Sequence, residues 1–169
     1  MQSQRIFHEL EPVYDENSRV LILGSIPSPK SREMGFYYGH PQNRFWRVLA
    51  AVFGEDVPQT ADERRDFALR HRIALWDVLA SCEIKGADDA SIREPQPNDL
   101  TRITKNAPIK AIFCTGTKAY TFYNRFCRDA VGMDAILLPS TSPANCRISF
   151  ETICEAYRVI REKCEEETI

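Results

Sequence analysis

The stretch RVLILGSIPSPKSREMGFYYGHPQNRFW, residues 19–46, decides the fold and says most about function. It opens with the apolar β-type run Val20–Leu23 and passes into the small-residue loop Gly24–Ser28. Three aromatic residues follow at Phe36–Tyr38, and the polar segment His40–Asn43 precedes a helical pattern. A buried strand that delivers a Gly/Ser loop, aromatic rings and amides to one rim is typical of an α/β site for a planar ligand.

Further apolar runs extend this pattern along the chain, at Ile73–Val78, Ala111–Cys114 and Ala135–Leu138. These runs are continuous rather than alternating, which is typical of parallel strands buried on both faces. The sequence therefore predicts a three-layer α/β/α sandwich around a central, mostly parallel four-stranded sheet. Predicted helices separate or follow the strands at Arg44–Phe53, Ala61–Arg70, Asn98–Lys105 (after a loop containing Pro95 and Pro97), Thr117–Phe126 and Phe150–Cys164.

The bulk properties indicate one ordinary globular unit. A length of 169 residues without an internal repeat predicts a single domain over residues 1–169, with a monomer as the expected state. A polar N-terminus and the lack of a bilayer-length apolar run lead us to expect a cytoplasmic protein with no membrane partner. The six cysteines show no metal-binding spacing, so we expect free thiols and no metal. The net charge of −2 gives no global support to nucleic-acid binding and does not exclude it.

Three strand ends carry unusual loops, at Gly24–Ser28, Thr115–Lys118 and Pro139–Asn145. In a parallel sheet they open on the same edge, where α/β proteins bind ligands. Within the last loop, Ser142 followed by Pro143 indicates a helix start. The hydroxyl groups of Ser140, Thr141 and Ser142, with the free N–H groups of such a start, could equally hold a phosphate.

The first stretch also leaves alternatives open. Tyr37 and Tyr38 can stack on a planar ligand or pack beneath the loop, and we expect packing for one of the two. Asn43 can cap the following helix or present its amide to a ligand. His40 lacks a readable partner for base catalysis, and Asp77 is expected to order a loop or cap local backbone.

Together these motifs resemble the uracil-DNA glycosylase superfamily. Gly24–Ser28 and Phe36–Trp46 resemble the first motif of the mismatch-specific uracil and thymine enzymes, and Ser140–Asn145 resembles their second. The Gly-Ser-Ile-Pro-Ser form of the first motif is most similar to the hypoxanthine-DNA (deoxyinosine) glycosylase branch. The similarity covers roughly Ser18 to Lys163, and the first motif is the longer and more specific of the two.

This resemblance implies a monofunctional enzyme of base-excision repair, acting without a cofactor on double-stranded DNA that contains a deaminated base. The target nucleotide would be flipped out and its N-glycosidic bond hydrolysed. Asn43 falls at the position of a functionally important amide in that branch, where it could bond the base or hold the water. Ser25 and Ile26 would offer backbone N–H groups to the base oxygen. Tyr38 would stack on the base, next to Tyr37, His40 and Ser28. Residues expected near the DNA are Ser140, Ser142, Pro143, Asn145, Arg147 and Lys118.

This chain departs from the family pattern at two positions, and both bear on which base it is expected to excise. Many members carry Asp or Asn where this chain has Ile26, and His or Asn where it has Ser140. An isoleucine does no acid–base work. The pattern therefore favours hypoxanthine as the excised base, with weak or absent activity on uracil.

The alternatives are a uracil or thymine mismatch glycosylase, and a non-catalytic nucleic-acid-binding member of the fold. A generic small-molecule hydrolase is disfavoured, because the chain has no Gly-x-Ser-x-Gly motif and no evident triad.

Overall fold

The computed structural model describes residues 2–166, which form seven strands and seven α-helices. Residue 1 and residues 167–169 of the expected single unit lie outside this described part. Within it, no helix is both long enough and apolar enough to cross a membrane. The elements in chain order are β1 (Gln4–Phe7), β2 (Val20–Gly24), α1 (Pro29–Met34), α2 (Phe45–Phe53), α3 (Ala61–Arg70), β3 (Ile73–Asp77), β4 (Leu79–Lys85), β5 (Asp88–Pro97), α4 (Thr101–Thr104), β6 (Ala111–Thr115), α5 (Thr117–Phe126), α6 (Arg128–Val131), β7 (Ala135–Leu138) and α7 (Phe150–Glu165).

The central sheet has four parallel strands in the order β3-β2-β6-β7, which confirms the predicted α/β/α sandwich. Strand β2 is fully buried and pairs on both sides, with Leu23 opposite Trp76 on β3 and Cys114 on β6. The next strand of this sheet in the sequence, β3, lies on one side of β2, whereas β6 and β7 lie on its other side. Right-handed crossovers then place the intervening helices on opposite faces, with a topological switch point between β2 and β6.

Helix α2 buries most of its residues because its apolar side chains recur at helical spacing, as predicted. It starts at Phe45, one residue after the predicted start, and packs against α7, which covers the predicted Phe150–Cys164 segment. The indole Nε1 of Trp46 donates to the Tyr37 carbonyl at 3.0 Å. The aromatic segment before α2 is thereby fixed to the core.

A second, antiparallel sheet with the order β1-β4-β5 was not predicted. The predicted strand Ile73–Val78 ends at Asp77, and the chain re-enters a strand as β4 at Leu79. Pro95 and Pro97, expected in a loop, lie in β5. They are tolerated there because β5 is an edge strand and pairs irregularly with β4.

Two further expectations are corrected. The predicted helix Asn98–Lys105 shrinks to the single turn α4, and Asn98 instead donates its side-chain amide to the carbonyls of Asp77 and Leu79 at 2.9 and 3.1 Å. Strand β7 is not buried on both faces. Ile136 and Leu137 are 37% and 46% exposed. Strand β7 is one of the two edge strands of the parallel sheet, and the other, β3, is fully buried.

The end of β3 lies in close contact with the end of β2. Asp77 is buried, and its Oδ2 contacts Nε2 of the buried His8 at 2.8 Å. Its Oδ1 would lie only 2.5 Å from a Cβ placed on Gly24. Glycine is therefore required at position 24 by space, since any side chain would displace the paired carboxylate.

We expect Gly24→Ala to destabilise the protein by about 1–3 kcal/mol, the usual range for overpacking a tight site. The added methyl group would push the Asp77 carboxylate away from His8. Urea unfolding followed by circular dichroism measures the loss.

The control is a double-mutant cycle with Asp77→Ala, which removes the colliding atoms. The double variant should be less destabilised than the sum of the two single variants. If the losses of stability in the two single variants simply add up in the double variant, a collision with Asp77 is not the cause of the destabilisation.

Candidate active site

A cavity of about 270 Å³ opens at the carboxyl ends of β2, β3 and β6, at the switch point of the sheet. The loops after β2 and β7 form two of its walls, and the tip of the β4–β5 hairpin forms a third. Its lining residues are Gly24, Ser25, Ile26, Pro27, Ser28, Ser31, Tyr37, Tyr38, His40, Asn43, Asp77, Ile84, Gly86, Ala87, Asp89, Thr115, Ser140, Thr141, Ser142, Pro143 and Ala144.

Most residues singled out in the sequence meet at this cavity. The structure brings together Ser25, Ile26, Ser28, Tyr37, Tyr38, His40, Asn43, Ser140, Ser142 and Pro143. Three others lie outside the lining. Arg147 is exposed, Lys118 is partly exposed on α5 with its ammonium 5.4 Å from the Phe122 ring centroid, and Asn145 donates its amide to the Ser140 carbonyl at 2.8 Å.

Tyr38 forms a rigid aromatic wall. One face of its ring stacks on the buried Phe45, with centroids 3.7 Å apart and planes inclined by 13°. Its hydroxyl donates to Oγ1 of Thr115 at 3.1 Å, since that oxygen already donates to the Leu23 carbonyl. Burial raises the pKa of the Tyr38 phenol well above its usual value, so the phenol stays protonated. Tyr38 also lines the cavity.

Tyr38 also has a left-handed backbone, with φ of +54°. Such a conformation is unfavourable for a bulky side chain and is typical of a functional site. Tyr37, next to it, is only 2% exposed and donates its hydroxyl to the Glu11 carbonyl at 3.0 Å. Of the two tyrosines, Tyr37 is the one that packs into the core at the cavity floor.

The orientation of the Asn43 amide is determined by its neighbour. The backbone N–H of Phe45 donates to the amide at 2.9 Å. An N–H group can only donate, so the atom that faces it is the oxygen Oδ1. Asn43 thus accepts from the first backbone N–H of α2 but is not its N-cap, which is Arg44 without a side-chain cap. The NH₂ group is the part of its amide that it can present to the cavity.

The first-motif loop is fixed through its backbone. The carbonyls of Gly24 and Ser25 accept from the N–H groups of Val78 and Leu79 at 2.9 and 3.0 Å. Ser28 is the N-cap of α1 and accepts from the Ser31 N–H at 3.1 Å. Ile26 brings an aliphatic side chain to the cavity between these anchored residues.

Two serine side chains of the second-motif loop accept hydrogen bonds from backbone N–H groups of the same loop. Ser140 Oγ accepts from the Ser142 N–H at 3.1 Å, and Ser142 Oγ accepts from the Ala144 N–H at 3.2 Å. The predicted helix start is a 3-10 turn of only three residues, Pro143–Asn145. Both serines accept in these contacts, so each hydroxyl hydrogen is still available for donation.

Arg44 connects the two motifs. Its guanidinium donates to the carbonyls of Ile148 and Asn145 at 2.7 and 2.9 Å, and its backbone N–H donates to the Thr141 carbonyl at 3.1 Å. Although a basic residue beside a candidate DNA site suggests phosphate binding, Arg44 is used to hold the second-motif loop against the start of α2.

His40 lies at the rim, partly exposed. Its Nδ1 accepts from the Gln42 N–H at 3.0 Å, so a neutral ring carries its proton on Nε2. This nitrogen can donate to a ligand, while Nδ1 is occupied by the turn that leads into α2.

Two carboxyl groups at the cavity were not recognised from the sequence as site residues. Asp77 comes from the end of β3, where it pairs with His8 instead of capping a loop. Asp89 comes from the β4–β5 hairpin, and its Oδ1 accepts from the Ser25 hydroxyl at 3.2 Å. The hairpin itself escaped prediction, so nothing in the sequence placed Asp89 near the first motif.

Comparisons with known proteins agree with this geometry. The profile of the uracil DNA glycosylase superfamily matches residues 11–160. A protein named hypoxanthine DNA glycosylase from Methanosarcina acetivorans is 36% identical over 150 residues, which cover 88% of this chain and 94% of that one. One of the same name from Methanosarcina barkeri is 38% identical over 138 residues, covering 80% and 86%.

A solved structure is also similar. The solution NMR structure of a candidate uracil DNA glycosylase from Methanosarcina acetivorans has a TM-score of 0.81 and 32% sequence identity, and the match covers 96% of this chain and 100% of that chain. The profile match and these relatives extend over nearly the whole chain. The chain therefore belongs to the uracil DNA glycosylase superfamily.

Proposed function

We propose that this protein is a DNA glycosylase that excises hypoxanthine from double-stranded DNA by hydrolysing its N-glycosidic bond. The observation that carries the proposal is the meeting of two fixed groups in one cavity, the ring of Tyr38 and the amide of Asn43. A planar base that stacks on the ring would place its edge within reach of the amide. The two relatives named hypoxanthine DNA glycosylase support the same substrate.

Asn43 would act as a donor to the departing base. As the C1′–N bond breaks, the sugar becomes an oxocarbenium-like cation and negative charge develops on the purine. A preorganised donor that faces the O6 carbonyl stabilises that charge. Because the hydrogen bond from the Phe45 N–H fixes the amide orientation, the same NH₂ group would face the amino group of adenine unfavourably. This fixed orientation supports a role of Asn43 at the base rather than in water activation.

Water would enter after the bond has largely broken. Ile26 gives the first motif no side chain that can remove a proton from water. A dissociative reaction tolerates this, since an oxocarbenium ion captures neutral water. The side chain of Ile26 would then serve as an apolar contact to the base, with the backbone at Ser25 and Ile26 close to its oxygen.

The DNA duplex would lie across the rim formed by the second motif. The free hydroxyl hydrogens of Ser140 and Ser142 and the exposed Arg147 suit contacts to phosphates. Pro143 and Ala144 line the cavity edge, and Lys118 would contribute longer-range attraction. We infer one domain acting as a monomer in the cytoplasm, with duplex DNA as its macromolecular partner.

A panel of duplexes that each carry one hypoxanthine, xanthine, uracil or mismatched thymine tests the substrate. We expect abasic product mainly from hypoxanthine, because the fixed donor matches a keto group on a purine. Alkaline cleavage of labelled strands measures the product. Faster release of uracil or thymine would favour the mismatch enzyme, and tight binding of lesion DNA without product at any enzyme concentration would favour a non-catalytic module.

Replacement of Asn43 by Ala should reduce hypoxanthine excision by at least about 100-fold, the range for removal of one such donor. Asn43→Asp is the matched control, because Asp accepts from the Phe45 N–H as well as Asn does but offers no NH₂ group. We expect this variant to melt like the wild type and to be equally inactive in single-turnover assays. Hypoxanthine excision by the Asn43→Asp variant would contradict the role of Asn43 as a donor.

The Tyr38 wall is tested by comparing Tyr38→Phe with Tyr38→Leu. The Phe variant keeps the stacking face and loses only the bond to Thr115, so its affinity for lesion DNA should change little. The Leu variant loses base stacking, usually about 1–3 kcal/mol per base. Fluorescence anisotropy with hypoxanthine duplexes measures both. Equal affinities of the two variants would contradict a stacking role.

A further inference from the structure

Hypoxanthine departs more easily from the sugar when it is protonated, yet neither motif contains a carboxyl group. The cavity obtains carboxyl groups from outside the motifs, through Asp77 and Asp89. Asp77 is already hydrogen-bonded to the side chain of His8, which leaves Asp89 as the other candidate. Asp89 is held at the opposite wall by the hydroxyl of Ser25.

We propose that Asp89 is the general acid that protonates the leaving base, an assignment that rests on the proposed excision of hypoxanthine. The Ser25 hydroxyl donates to Oδ1 and so leaves Oδ2 of Asp89 to carry the proton. Ser25 is the first residue after β2, in the motif that surrounds the base. A proton on Oδ2 would therefore lie at the wall where the flipped purine enters.

The surroundings of Asp89 favour its protonated form. The residue as a whole is exposed, but its carboxyl group faces the cavity against Ser25, which is buried. Withdrawal from water raises the pKa of Asp89, and the negative charge of Asp77 raises it further. The Ser25 hydrogen bond and the positive charge of Lys118 on α5 lower it, while Asp88 in the same strand raises it. His40, Tyr37 and Tyr38 are the other titratable groups that line the cavity.

The reaction balances without any further reagent. Oδ2 of Asp89 gives its proton to a ring nitrogen of the purine while the C1′–N9 bond breaks. The electron pair of that bond goes to the base, which leaves as neutral hypoxanthine. Water forms the new C1′–O bond and loses one proton to the solvent, and the solvent protonates Asp89 again.

The pH dependence of single-turnover excision tests this role. A general acid must hold its proton, so the wild-type rate should be highest below the pKa of Asp89 and fall as the pH rises through it. Asp89→Asn should reduce the rate at the optimum by about 10²–10⁴-fold, the usual range for general acid catalysis, and abolish this alkaline fall. Asp88→Asn, a neighbouring exposed carboxylate outside the cavity lining, is the matched control. It should keep the wild-type rate at the optimum and an alkaline fall, which moves to lower pH because the charge of Asp88 raises the pKa of Asp89.

Ser25→Ala supplies a readout that a purely structural role would not give. Loss of the donated hydrogen bond removes an influence that lowers the pKa of Asp89, so the alkaline fall should move to higher pH. Lesion binding by anisotropy and thermal melting show that each variant is folded. We expect an excision rate that does not fall at alkaline pH in Asp89→Asn. In Ser25→Ala we expect the fall at a higher pH than in the wild type.

The failures are distinguishable. A wild-type protein without hypoxanthine excision contradicts the proposed function itself. An active wild type whose rate and profile persist in a folded Asp89→Asn variant overturns the acid role alone. A rate that rises with pH, with the rise lost in Asp89→Asn, would make Asp89 a base and likewise overturn the assignment.

Discussion

The geometry of this protein depends on the pairing of β2 on both of its sides. Because β2 is fully buried and hydrogen-bonded to β3 and β6, the ends of three strands are held at one level. Gly24 can then lie against Asp77, and Thr115 can accept from the Tyr38 hydroxyl. A shift in either register would turn these groups to the wrong face of the sheet and separate them.

Helix stabilisation and ligand binding are combined at the start of α2. The oxygen of the Asn43 amide stabilises the helix, and this contact aims the nitrogen at the cavity. The next residue, Arg44, attaches the second-motif loop to the same helix end. Two adjacent residues thus set the position of both motifs, so the distance between the first-motif and second-motif residues is fixed by the folded core.

The parallel sheet could be predicted from the sequence because its strands are continuous apolar runs separated by helical periodicity. The cavity could be predicted because the loops Gly24–Ser28 and Pro139–Asn145 follow strand ends, with Tyr38 and Asn43 in the segment that leads into α2. The β4–β5 hairpin could not, since β5 is largely exposed and contains two prolines, so it lacks the pattern of a buried strand. The place of Asp89 at the cavity could not be predicted either, because this residue lies on the hairpin. The pairing of His8 with Asp77 could not be predicted for another reason. The two residues are 69 positions apart, and no local sequence pattern indicates their contact.

The third wall of the cavity has a separate origin from the other two. Residues from Ile84 to Asp89 belong to the antiparallel sheet, whereas the strand-end loops belong to the parallel one. The size and polarity of the cavity can therefore be altered from the hairpin side while the loops that surround the base keep their anchors. For protein engineering this makes the tip at Gly86 and Ala87 the natural place to reshape base selectivity, provided that Asp89 keeps its contact with Ser25.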